Sequence, residues 1–196
     1  MGKYVSLPDA YLSVVEGLHH ASYVTESSIN IQWIDAGTVT KENAHELLQD
    51  AEGILVPGGF GKRASQGKLL AIEYARKNNV PFFGICLGLQ LSMIEYARNV
   101  LHLPDASTTE MDPETSVPLF KINPENKMRL GEYEIHLDKE TKAFELYQSQ
   151  VIHERHRHRY EFNVAYLQLF SNTDMVVSAF SNTGVVEMVE LKNHPF

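Results

Sequence analysis

Val80-Pro81-Phe82-Phe83-Gly84-Ile85-Cys86-Leu87-Gly88-Leu89-Gln90 is the stretch whose reading decides the fold. Residues 80–83 form a short apolar run of the kind a fully buried strand shows, and Leu87, Leu91, Ile94, Ala97 and Leu101 then recur at helical spacing. Cys86, the only cysteine, therefore stands where a strand turns into a helix. That position aims its side chain out of the sheet, near the positive end of the helix, which favours thiolate over thiol and makes the sulfur a nucleophile. Gly84 and Gly88 flank it and remove side chains that would crowd the turn. The arrangement has the logic of a nucleophile elbow with Cys in place of Ser, and an inert apolar thiol is the competing reading.

Upstream, residues 53–56 (Gly-Ile-Leu-Val) read as a buried strand ended by Pro57. Pro57-Gly58-Gly59-Phe60-Gly61 follows directly, and its three glycines let backbone N–H groups turn towards a substrate, as an oxyanion hole requires. A phosphate cradle is disfavoured because no GK[ST] follows, and an ordinary flexible turn is the plain alternative. Beside Cys86 the loop has a use: it would stabilise the charge that attack by the sulfur creates.

The rest of the first half alternates strands and helices. Residues 2–5 suit the end of a strand, and Pro8 and Asp9 open a helix striped by Tyr11, Val14, Val15, Leu18 and Ala21. Residues 29–34 alternate as a strand, residues 40–48 form a helix begun at a threonine cap, and residues 67–77 form another helix. The pattern predicts an α/β fold of three layers, α/β/α, with a central mostly parallel sheet and its site at the carboxyl ends of the strands.

After Asp105 the character changes. Residues 105–126 hold Pro113, Pro118 and Pro124 and read as loop with a short strand at 117–121; Glu110 stands in this loop, as a solvated acid or something more. Tyr133, Ile135 and Leu137 alternate as a strand, residues 141–147 form a short helix, and residues 176–180 and 185–191 form a hairpin around Asn182-Thr183-Gly184. The second half is thus antiparallel and the sheet partly mixed. Between these elements lies His153-Glu154-Arg155-His156-Arg157-His158-Arg159-Tyr160. On an extended chain His156 and His158 share one face and pair with each other, while Arg155, Arg157 and Arg159 face the other way, suited to carboxylates or phosphates. With no Cys or Asp beside them, the histidines make a metal the weakest reading.

Composition bounds the function. A chain of 196 residues with 43% hydrophobic and 21% charged residues suits one globular domain. Its net charge of -8 argues against a nucleic-acid surface. A single cysteine permits no internal disulfide, no apolar run reaches membrane-spanning length, and Met1-Gly2-Lys3-Tyr4 opens no signal-peptide core, so a cytoplasmic location is expected.

The strings GKYVSLPDAYLSVVEGL, ILVPGGFGKR, PFFGICLGLQLSMIEYAR and ERHRHRYEFN, in this order and over essentially all 196 residues, resemble the class I (triad) glutamine amidotransferase domain of the CTP synthase family. The resemblance implies a flavodoxin-like core and a Cys86 that attacks the side-chain amide of L-glutamine, forming a thioester and releasing ammonia. It implies backbone at Gly59 and Leu87 for the oxyanion, and Gly59, Leu87, Gly88, Leu89, Gln90, Glu110, Arg159 and Tyr160 around glutamine. It implies no cofactor or metal in this domain, a partner synthetase (amidoligase) domain that aminates UTP with ATP and Mg2+, GTP as activator, and a homotetrameric whole enzyme. The family activates its cysteine with the His and Glu of an HPE motif that this sequence lacks; His194-Pro195 matches the loop before that motif and has no Glu after it. A domain cut at both ends is therefore expected. Two rivals remain, a catalytically silent glutamine- or partner-binding module and a stand-alone glutamine or γ-glutamyl hydrolase.

Overall fold

The computed structural model describes residues 1–195. A 3-10 turn, Pro8–Tyr11, leads into α1, Leu12–Val24, and α2, Ala44–Leu48, follows. Then come β1 (Ile54–Val56), α3 (Ser65–Asn78), β2 (Phe82–Gly84) and α4 (Leu87–Asn99). The remainder is β3 (Ala106–Thr108), β4 (Val117–Ile122), β5 (Arg129–Leu137), α5 (Lys142–Tyr147), β6 (Val151–His158), β7 (Tyr160–Phe162), a 3-10 turn Val164–Leu169, β8 (Met175–Ser181) and β9 (Val186–Leu191). The architecture is α/β with mixed pairing. β1 and β2 are parallel; β3, β4 and β7 form a second sheet with β3 parallel to β4; and β6-β5-β8-β9 is antiparallel throughout.

One large core explains why α3 and α4 form where they do. Ile72 and Ala75 of α3 and Leu91, Ile94 and Ala97 of α4 are fully buried with Val56 of β1, which is the helical stripe of the sequence read in three dimensions. Between the two helices Arg76 donates to Glu95 through Nε at 2.8 Å and Nη2 at 2.6 Å, so the charge carried into this contact is paired. A smaller cluster, Ile135, Leu137, Ile152 and Ala179, is covered by Ala143 and Phe144 of α5. Thr141 caps α5 by accepting from the Phe144 N–H.

Several expectations are corrected. Residues 29–34 form no strand: Gly2 makes a single parallel bridge to Asp35, with its N–H donating to Ile34 and its carbonyl accepting from Ala36. The helix expected over 40–48 begins only at Ala44; Asn43 takes the cap position, and its Oδ1 accepts from the Thr40 N–H, so the threonine is held in the turn before the helix. The strand leading to Cys86 is not buried on both sides, since Phe83 is 63% exposed. The stripe of α1 is only partly covered: Val14, Val15 and Leu18 are half-buried and Ala21 is exposed. Within the loop expected over 105–126 lies β3, buried along its length. No helix among the described residues is long and apolar enough to cross a membrane.

Candidate active site

Cys86 is the residue between β2 and α4, with φ 55° and ψ -106°. A non-glycine residue adopts a positive φ only where its surroundings hold it there. Here the Ile85 N–H donates to the Val56 carbonyl at 2.9 Å, fixing the turn to β1, while the Gly88 N–H closes back on Ile85 and the Gln90 N–H on Cys86. The flanking glycines serve contact rather than conformation: a Cβ at Gly84 would stand 2.6 Å from the Gly88 carbonyl carbon, and one at Gly88 2.1 Å from the Val56 oxygen. The glycine loop after β1 lies against this elbow, where a Cβ on Gly58 would meet the Cys86 sulfur at 4.0 Å and one on Gly59 the Leu87 side chain at 3.6 Å.

A cleft of about 250 Å³ opens over the sulfur, lined by Gly59, Leu87, Gln90, Glu110, Arg159 and Tyr160 together with Phe60, Met128 and His158. Most of the residues singled out in the sequence thus meet in one place. Gly88 lines no cleft; it is buried against Val56. Leu89 lines a second, adjoining space of about 610 Å³ that shares Gly59, Phe60, Cys86 and Gln90 with the first. Glu110 reaches the cleft because its carboxylate accepts from the Gly61 N–H at 2.8 Å, which ties the turn after β3 to the glycine loop. Gln90 is 5% exposed, and among the described residues none donates a hydrogen bond to its Oε1.

The electrostatics of the sulfur depart from the expectation. Burial pushes the Cys86 thiol up; the Leu87 backbone N–H holds it down, Glu110 adds to the rise and Lys68 opposes it. The helix start alone does not deliver a thiolate. Lys68, in the first turn of α3, was missed in the sequence, although Lys68, Ile72 and Ala75 fall at the i, i+4, i+7 positions of a buried face.

On β6 the alternation holds: Arg155 and Arg157, and Arg159 just beyond the strand, are exposed, while His156 Nδ1 lies 2.9 Å from His158 Nε2. The His158 Nδ1–H donates to the Tyr160 carbonyl at 3.0 Å, so its Nε2 accepts from the His156 Nδ1–H. Burial pushes His156 down to about 4, with Arg129 and His158 adding to it, and His158 is lowered chiefly by burial as well. Both rings are neutral at physiological pH. His156, His158 and Glu187 present ligand atoms within 4.8 Å of one another and are the residues best placed to hold a cation, yet Arg129 donates to Glu187 at 2.7 Å and already supplies that positive charge. His194 is bonded to the Arg76 carbonyl at 3.1 Å and lines neither space beside Cys86.

A family model described as glutamine amidotransferase class-I matches residues 6–196. A CTP synthase of Bacillus subtilis (strain 168) is 50% identical over 205 residues, covering 100% of this chain and 38% of that protein. A CTP synthase of Staphylococcus carnosus (strain TM300) is 53% identical over the same shares. The chain therefore spans 38% of the length of these curated relatives. Among solved structures, the glutaminase domain of a Trypanosoma brucei CTPS with bound acivicin superposes with a TM-score of 0.91 at 32% identity, covering 97% of this chain and 78% of that one.

Proposed function

Because this chain belongs to the class I glutamine amidotransferase family, in the form that serves CTP synthases as their glutaminase domain, we propose that it hydrolyses L-glutamine through a thioester on Cys86. The observation that carries the reading is the strained cysteine elbow opening into a cleft that holds both a carboxylate, Glu110, and a guanidinium, Arg159. An α-amino acid is a zwitterion, and such a cleft offers each of its charges a partner.

In this reading the Cys86 thiolate attacks the side-chain carbonyl carbon, and the backbone N–H groups of Gly59 and Leu87 take the oxyanion. Collapse forms the thioester and breaks the C–N bond, so that ammonia leaves after accepting a proton. Water then cleaves the S–C bond to give glutamate and the free thiol. Glu110 binds the substrate ammonium, Arg159 and Tyr160 its α-carboxylate, and the open Oε1 of Gln90 accepts a substrate N–H; Gly88 and Leu89 act through the backbone that sets the elbow. Among the described residues the sulfur meets the Leu87 N–H and, at 4.0 Å, the Arg157 carbonyl, neither of which is a base. The proton transfers call for a His–Glu pair, and the HPE motif that the family resemblance implies for it does not occur in this sequence.

For the longer protein the proposal extends to ammonia delivery to a synthetase domain that aminates UTP with ATP and Mg2+, GTP as activator, and a cytoplasmic homotetramer. No GK[ST] loop occurs in this chain, so none of its residues is assigned to ATP.

The test is labelling by acivicin, a glutamine-like electrophile, followed by peptide mass mapping. Label on Cys86 that L-glutamine blocks and Cys86→Ala abolishes is the expected result. Labelling elsewhere, or no protection by glutamine, overturns it. Label without glutamate release by the protein joined to its synthetase domain would establish the silent binding module instead.

A further inference from the structure

Lys68 is 1% exposed, on the face of α3 that carries Ile72 and Ala75 into the core. A lysine is almost never buried to this degree without a compensating charge. Its ammonium lies behind the glycine loop, 3.3 Å from where a Cβ on Gly59 would stand. A Cβ on Gly59 would also stand 3.6 Å from the side chain of Leu87, the residue after the nucleophile, and one on Gly58 3.5 Å from the Cys86 Cβ. The loop is thus a thin backbone partition with the cleft on one side and a cation on the other.

The charged groups around this cation leave one candidate for its partner. Lys3 is also cationic, and Lys68 is repelled by it. Among the described residues no carboxylate forms an ion pair with Lys68. Glu110 faces Cys86 from the turn after β3, but its carboxylate is engaged by the Gly61 N–H. The group that favours the charged lysine is Cys86, and the lysine reciprocally favours the thiolate.

We propose that Lys68 is a positioning residue for the cysteine chemistry, a buried cation that stabilises the Cys86 thiolate, and then the oxyanion held by Gly59, through the Gly58-Gly59 partition. The inference rests on the reading of Cys86 as nucleophile and deepens it. It offsets part of the rise that burial and Glu110 impose on the thiol, in the same sense as the Leu87 N–H. Burial lowers Lys68 to about 8, so it is still cationic at neutral pH and loses its proton only as the solution becomes mildly alkaline.

The experiment is the pH profile of Cys86 alkylation by iodoacetamide, a reaction of the thiolate that needs no turnover. In Lys68→Met the midpoint moves to higher pH and the rate at pH 7.5 falls about threefold or more, the effect of removing one nearby opposite charge; Lys68→Arg keeps part of the wild-type rate. An unchanged midpoint in a Lys68→Met protein with a native circular-dichroism spectrum overturns the proposal. Should Lys68→Met fail to fold, the reciprocal measurement decides. Linkage requires that Cys86→Ser lower the pH at which Lys68, followed by NMR, gives up its proton. An unmoved Lys68 titration overturns the proposal equally. Glutamate release by the wild-type whole protein reports separately on the nucleophile, so either reading fails without the other.

Discussion

The backbone oxygen of Val56 lies 2.1 Å from where a Cβ on Gly88 would stand, and that same oxygen accepts the Ile85 N–H at 2.9 Å. The oxygen has no freedom to retreat without releasing the turn that carries Cys86. Gly88→Ala is therefore expected to destabilise the fold by about 3 kcal/mol, the upper end of overpacking costs, and to slow Cys86 alkylation as well. Urea denaturation and alkylation kinetics check both parts; a stable variant with native reactivity would mean that the two elements separate freely.

Glu95 is 1% exposed and holds Arg76 through two hydrogen bonds, while Asn99 donates to the same carboxylate. Glu95→Ala strands a guanidinium against the α3–α4 contact. A loss of about 3–5 kcal/mol is expected, as for breaking a buried pair from one side. Replacing both partners together, Arg76→Met with Glu95→Leu, should cost much less, and equilibrium unfolding of the two variants checks the difference.

His156, faced by Arg129, His158, Glu187 and the Tyr133 ring, is lowered from its ordinary value of 6.5 to about 4. A depressed folded-state value means that the unfolded chain takes up the proton first. Its stabilising contribution is present above about pH 6.5 and is lost as the pH falls towards 4. Glu187, raised by burial, works in the opposite sense. Comparing wild type with His156→Gln isolates the imidazole: the urea midpoint of the variant should fall less steeply between these pH values.

Glu110 and Arg159 line the same cleft, and each is proposed to meet one charge of the substrate. Arg159→Ala should weaken glutamine binding by about tenfold or more, the worth of a charge-assisted hydrogen bond, without a change in unfolding midpoint, because Arg159 is exposed. Glu110→Ala should weaken binding similarly and also loosen the glycine loop it holds at Gly61. Calorimetric titration of a Cys86→Ala background with glutamine gives both numbers.

The elbow, the glycine loop and the histidine pair were legible because each is a local pattern: a period of 3.6 after Cys86, three glycines after a buried strand, a period of two in β6. What the sequence concealed depends on distant neighbours. Residues 29–34 alternate as a strand should, yet among the described residues the only bridge nearby is that of Gly2 to Asp35. Thr40 has the chemistry of a helix cap, yet Asn43 takes that position; the Thr40 N–H donates to the Asn43 Oδ1 and the Thr40 carbonyl accepts from the Ala44 N–H. The ionisation of Cys86 was read from the helix start, whereas its burial, Glu110 and Lys68 arrive from three other parts of the chain. Glu110 itself stood in an apparent loop; β3, three residues long, is what brings it to the cleft.

The alternation along β6 has a last consequence for how the chain finds its alignment. β5 and β6 pair over eight positions, from Arg129 opposite His158 to His136 opposite Val151. A slip of one residue would exchange the two faces, turning the guanidiniums of Arg155 and Arg157 towards Arg129 and the imidazoles of His156 and His158 out to water. Such a misaligned ladder would be expelled by its own repulsion before it could be completed. The His-Arg repeat thus acts as a parity check written into the strand, rejecting odd errors of register whatever the cleft above it binds.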